Sequence, residues 1–224
     1  MDKNWTFSDA ALGFAVFYLF FTLADVLGSR IGLGKTAVFT LSCLTGGLVL
    51  AAFLYFFVYR NTGMNNKLNI TSANSARDSL LGISTGILLG FPGFLNQHVE
   101  SGGFFGIFSI DFLSRNFRPS SFAGTLVFLF IFLLFIPFVE EIYFRAFMYP
   151  TLSKRANILF SALVTGLCSS IFLSGTIAFV YLLISGFVFS LLYEKTEAAY
   201  SSLIAHITMN LILALTILLK GGSS

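Results

Sequence analysis

Charge is what this chain has least of: Asp, Glu, Lys and Arg make up 10% of its 224 residues, where the surface of a globular domain needs about a quarter. That scarcity excludes a soluble fold. Cysteine is nearly missing too. Cys43 and Cys168 are the two present, both in apolar stretches where a thiol packs as a small hydrophobe, so neither a disulfide framework nor a zinc site is expected. There is no basic cluster. The net charge of +3 is spread over loops and bears on orientation in a bilayer, with no nucleic-acid partner expected. There is no internal repeat. No small-residue cleavage site closes the first apolar run, which follows Lys3 and contains Asp25, so it is expected to be a retained span and not a removed leader. The final Gly221-Gly222-Ser223-Ser224 has linker composition, and no function is read from it.

What the chain has in abundance is apolar surface, with 56% hydrophobic residues and a mean hydropathy of +0.88. It reads as an integral membrane protein. At about 20 residues per span, the length has room for seven or eight spans and no separate soluble domain. The fold class is therefore all-α, a polytopic transmembrane helix bundle forming one domain over 1–224, with about seven spans. Apolar runs place them near 9–27, 36–59, 79–95, 121–143, 157–173, 177–193 and 200–219. Residues 61–77, rich in Asn, Ser and Thr, mark a solvated loop. Alternating sides put Lys3, Arg60, Lys67, Arg77, Arg145, Lys154, Arg155 and Lys195 with the N-terminus, against Arg30, Lys35, Arg115, Arg118 and Lys220 opposite. This bias expects the N-terminus in the cytoplasm and the protein in the cell membrane. Residues 101–120, containing Gly102-Gly103-Phe104-Phe105-Gly106, read as an interfacial or re-entrant piece. Phe is the commonest source of apolar surface, with 29 copies, and serves packing or faces lipid. Glycines inside the spans, among them Gly46, Gly47, Gly82, Gly86, Gly90, Gly166 and Gly186, permit close helix approach.

Against that background, ionisable residues inside spans need a reason. The fourth span carries Glu140-Glu141-Ile142-Tyr143-Phe144-Arg145. Glu141 and Arg145, four apart in the favourable order, can neutralise each other. On an α-helix Glu140 points about 100° away from Glu141; it is left unpaired and is the candidate base. Pro137 removes a backbone donor, which would strand the Leu133 carbonyl, kink the helix and make room for water. On the last span His206 and Asn210 share one face, so an imidazole and a carboxamide can converge on one small polar object such as an oxyanion. Span counting sets Glu140 and His206 at a matched depth of about 10 Å, facing each other across a hydrated pocket. The alternative is that these groups merely glue helices together, at roughly a kcal/mol or less each. That accounts for Glu141 and Arg145 better than for three groups converging at one depth. Asp25 has no evident partner and suits helix packing or cavity lining.

Glu140-Glu141-x-x-x-Arg145, then Phe172-x-x-x-Thr176, then His206-x-x-x-Asn210 resembles the intramembrane protease family, often called CPBP or Abi, that joins Ras-converting CAAX endopeptidases to bacteriocin-processing and immunity proteins. The resemblance covers a motif-bearing, protease-like core at 128–215, including Tyr193-Glu194-Lys195-Thr196. The N-terminal half matches only as apolar spans. The resemblance implies that Glu140 activates a water and that His206 and Asn210 form an oxyanion site, with Glu141, Arg145 and Thr176 as supporting residues. It also implies a histidine four residues after a phenylalanine. Here that position is Thr176, and threonine neither takes up a proton near neutral pH nor ligates metal well. The other histidine, His98, ends the third span on the side opposite Glu140. Glu140, His206 and an amide make a poor set for zinc, so no metal and no cofactor are expected. The implied function is a glutamate-dependent intramembrane endopeptidase acting on a hydrophobic or lipid-tethered peptide or a membrane-protein substrate. The alternative is a catalytically impaired relative, a scaffold, regulator or self-immunity protein with a membrane-protein partner. A proton-coupled transporter is disfavoured, because paired inverted, broken helices are not visible.

Overall fold

The computed structural model describes residues 6–59, 68–71, 73–98, 121–171 and 176–221, and every regular element among them is helical. In chain order the helices are α1 (Phe7–Arg30), α2 (Lys35–Phe53, continued by a π-helical turn, Leu54–Tyr59), α3 (Ser75–His98), α4 (Phe122–Ser153), α5 (Ile158–Ser170), α6 (Thr176–Thr196) and α7 (Ala199–Gly221). Four of them start on side-chain caps: the Thr6–Asp9 capping box before α1, Asn74 before α3, Ser121 before α4 and Asn157 before α5, each supplying an acceptor for first-turn amides. Six are long and apolar enough to cross a bilayer. The fifth departs from expectation: α5 has 13 residues, about 20 Å at 1.5 Å per residue, against a hydrocarbon core of about 30 Å. Its apolar run is interrupted by Ser169-Ser170 and again by Ser174-Gly175. The proposed re-entrant stretch at 101–120 lies outside the described residues.

Neighbour pairs show that the helices alternate in direction. Gly13 of α1 meets Phe53 of α2 and Gly28 meets Val38, so these two run antiparallel. Gly47 meets Phe135 and Phe53 meets Tyr143, so α2 and α4 run together. Arg145 reaches Gly186 and Tyr149 reaches Glu194, so α4 and α6 also run together. Gly82, Gly86 and Gly90 meet successive turns of α7, so α3 and α7 run parallel. At Gly86 a Cβ would stand 2.5 Å from the Ala205 carbonyl oxygen; the two backbones touch there because no side chain intervenes. At the end of the bundle where α7 begins, the Asn69 and Ile70 carbonyls accept the Ala199 and Tyr200 amides at 2.8 and 3.0 Å, satisfying two of the amides a helix start leaves open.

Helix α4 runs through the middle, touching α1, α2, α5, α6 and α7. Two of its segments are wound as π-helix, Ile131–Phe135 and Glu141–Met148, and each ends two residues before a proline, Pro137 and Pro150. Proline has no amide for the carbonyl four residues back and its ring crowds that carbonyl, so a wider turn just upstream relieves both problems. The second π segment buries Glu141, Tyr143, Phe144, Arg145, Ala146, Phe147 and Met148 almost all round. Asp25 differs from expectation. Its side chain is exposed beside the exposed Leu23, Val26 and Leu27, so it neither packs nor lines a cavity, and it sits near enough to the end of α1 at Arg30 to reach the interface.

Candidate active site

The buried charges are settled first. Arg145 and Glu141 are each 1% exposed and joined by Nη1–Oε1 at 3.1 Å. A buried charge needs a partner and further hydrogen bonds to remain there, and Arg145 has both. Its Nη2 donates to the Gly186 carbonyl of α6 at 3.0 Å, and its guanidinium lies 5.8 and 5.4 Å from the ring centres of Phe144 and Phe189. Gly186 must be glycine for this approach, since a Cβ there would run into the Ser169 hydroxyl and come within 2.9 Å of the Gly166 Cα.

Helix α7 adds the imidazole. His206 Nδ1 lies 2.8 Å from Glu141 Oε1, the oxygen that Arg145 also holds, and its ring leans on Phe189 at 5.2 Å between centres. Among the described residues its Nε2 makes no hydrogen bond. Ser202, one turn earlier, sits beside the same carboxylate while donating to the Ala199 carbonyl.

Glu140 takes a different bearing. It is half-buried, makes no hydrogen bond or ion pair among the described residues, and lines a cavity of about 60 Å³ together with Arg145, His206, Asn210, Cys43 and Ser185. That volume holds more than one water molecule, and the polar groups suffice to bind them. The remaining wall is apolar, with Phe17, Phe21, Phe39, Phe128, Phe132 and Phe189 prominent in it.

Asn210 shows how the proline shapes the site. In the π register at 131–135, where the Ile136 amide bonds the Ile131 carbonyl, the Phe132 carbonyl would be served by residue 137, and proline has no amide to give. Asn210 Nδ2 fills that vacancy at 2.8 Å. The carbonyl that Asn210 serves is thus Phe132, one residue before the Leu133 that an α-wound turn would set opposite the proline. One N–H of the Asn210 amide is committed to this bond and the second remains. Asn210→Leu is expected to cost about 1–3 kcal/mol, the penalty of an orphaned buried acceptor. In a Pro137→Ala background, whose new amide can take the Phe132 carbonyl, the cost should shrink by about 1 kcal/mol or more. Equilibrium denaturation of the four proteins in detergent measures this coupling, and strict additivity would contradict it.

The structure thus brings together Glu140, Glu141, Arg145, His206 and Asn210. Thr176 opens α6, but its side chain, and all of Phe172, lie outside the described residues. His98 lies twelve residues beyond Gly86, which is level with Ala205, and so about 18 Å further along α3 at 1.5 Å per residue. One pairing differs from the sequence reading. His206 and Glu140 share the cavity, but the carboxylate bonded to the ring is Glu141. Two participants had no sequence signal: the Gly186 carbonyl as acceptor for Arg145, and Cys43, whose thiol is on the cavity wall near Glu140. Among the described residues, no three His, Cys, Asp or Glu side chains gather as metal ligands would.

A family model described as type II CAAX prenyl endopeptidase, Rce1-like, matches residues 122–212, a stretch that starts with α4 and ends in α7, just beyond Asn210. No curated protein and no solved structure matches the chain.

Proposed function

Because residues 122–212 match the model of the Rce1-like family of type II CAAX prenyl endopeptidases, we propose that this integral membrane protein is a glutamate-dependent intramembrane endopeptidase. The observation that carries the reading is an asymmetry: of two adjacent carboxylates, Glu141 is bonded to Arg145 and His206, while Glu140 enters a water-sized cavity unpaired. A carboxylate with no partner beside a water site is placed to act as a base. Glu140 takes a proton from water as the water oxygen attacks a peptide carbonyl carbon. The tetrahedral oxyanion accepts the spare N–H of Asn210, an interaction worth roughly 3 kcal/mol per donor in other enzymes. When the C–N bond breaks, the amine leaves with the proton held by Glu140, and the site is regenerated.

The aromatic wall of the cavity suits a hydrophobic or lipid-tethered peptide, or an apolar segment of a membrane-protein substrate. Exposed Arg77, Lys154, Arg155 and Lys195 lie at the end of the bundle where α7 begins, and Arg30 and Lys35 at the other. That imbalance supports a cytoplasmic N-terminus, in the cell membrane, with the site toward the cytoplasmic side.

Thr176 stands where the resemblance calls for a histidine. Thr176→His is expected to raise the turnover of a lipid-tethered or apolar peptide by about 10²-fold or more, the range of one general acid or base. Purified protein in liposomes measures it, and an unchanged rate would remove position 176 from the reaction. The same residue motivates a second reading, a non-catalytic scaffold or self-immunity factor. It expects no cleavage by either protein and a membrane partner that co-purifies equally with native and Glu140→Gln chains.

A further inference from the structure

Glu141 does more than neutralise Arg145. A carboxylate only accepts, so the 2.8 Å approach of His206 Nδ1 to Glu141 Oε1 fixes the proton on Nδ1 and turns the imidazole so that its other nitrogen is left over. Three further contacts hold this arrangement: the Phe189 ring against the imidazole, Arg145 Nη1 on the same Oε1, and the Gly186 carbonyl holding Arg145 in turn. We propose that Glu141 is a positioning residue for His206, presenting Nε2 to the cavity that holds Glu140, so that protons exchanged between this ring and the reacting groups pass through Nε2. The inference rests on the endopeptidase reading above and adds one relay to it: the proton that Glu140 takes from water passes to Nε2 and from there to the leaving amine, in a chain with threonine at position 176. Oxyanion stabilisation then falls to Asn210. The logic is that of an acid–imidazole dyad, in which the acid sets the tautomer and bearing of the ring without touching substrate.

The test needs no substrate. The sequence has two histidines, so His98→Gln protein labelled with ¹⁵N-histidine gives the signals of one ring, His206. Expected is a protonated Nδ1 in the otherwise native protein; a bare Nδ1 with the proton on Nε2 would overturn the proposal. Removing the acid alone would strand Arg145, so the comparison uses Glu141→Leu combined with Arg145→Met, which exchanges a buried pair for apolar side chains. In that background the proton should redistribute toward Nε2, and an unchanged Nδ1–H signal would count against Glu141. With a cleavable peptide the same double variant should lose about 10²-fold or more in kcat with KM within about twofold; an unchanged kcat would overturn the role. A native chain that cuts no peptide sinks the endopeptidase reading, while the nitrogen spectra still decide whether Glu141 sets the ring.

Discussion

Glu140→Gln is expected to lower kcat for peptide cleavage by about 10²- to 10⁴-fold, the share of a general base, while the melting temperature in detergent stays level or rises. Both halves follow from the same geometry. Gln has the shape of Glu and can still hold water, but its amide cannot take a proton. Glu140 makes no hydrogen bond or ion pair among the described residues and is only half-buried, so replacing it breaks no bond and relieves the burden of a carboxylate against an apolar wall. Turnover and thermal melts on one preparation test the pair of effects. Cleavage at the native rate by the Gln variant would show that another group activates the water.

At the next residue the pattern reverses. Arg145→Met is expected to cost about 3–5 kcal/mol, because it strands a carboxylate that is 1% exposed. Glu141→Leu alone should cost a similar amount by stranding the guanidinium. The double change should recover most of the loss, since replacing a buried ion pair with apolar groups of similar size is often close to neutral. Denaturation midpoints of the three variants provide the measurement. Equal damage from the double and single changes would mean that the pair stabilises through something other than mutual neutralisation.

The bundle and its charged residues were legible in the sequence because both rest on local facts. A run of some 20 apolar residues can satisfy its backbone in a bilayer only as a helix, and Glu141 and Arg145 lie four apart on one chain segment, a spacing that brings them together in the observed ion pair. The partnering across helices was harder. Which carbonyl Pro137 strands depends on whether the turn before it is α- or π-wound, and residue spacing alone does not say which. That His206 bonds Glu141 while sharing the cavity with Glu140 is likewise set by how α7 lies against α4. Cys43 read as an ordinary apolar residue because its place on the cavity wall is set by α2 lying alongside α4, a tertiary fact. The fifth span was overestimated because an apolar run interrupted by Ser169 and Ser170 still averages as hydrophobic.

The glycine ladder between α3 and α7, and the Gly166–Gly186 crossing of α5 on α6, weld those helices main chain to main chain. Such seams bring the helix axes close together and leave little space between them. On the opposite flank α1 and α2 reach the chamber through side chains, with Phe17, Phe21 and Phe39 in its lining and the Phe17 ring seated on Gly46.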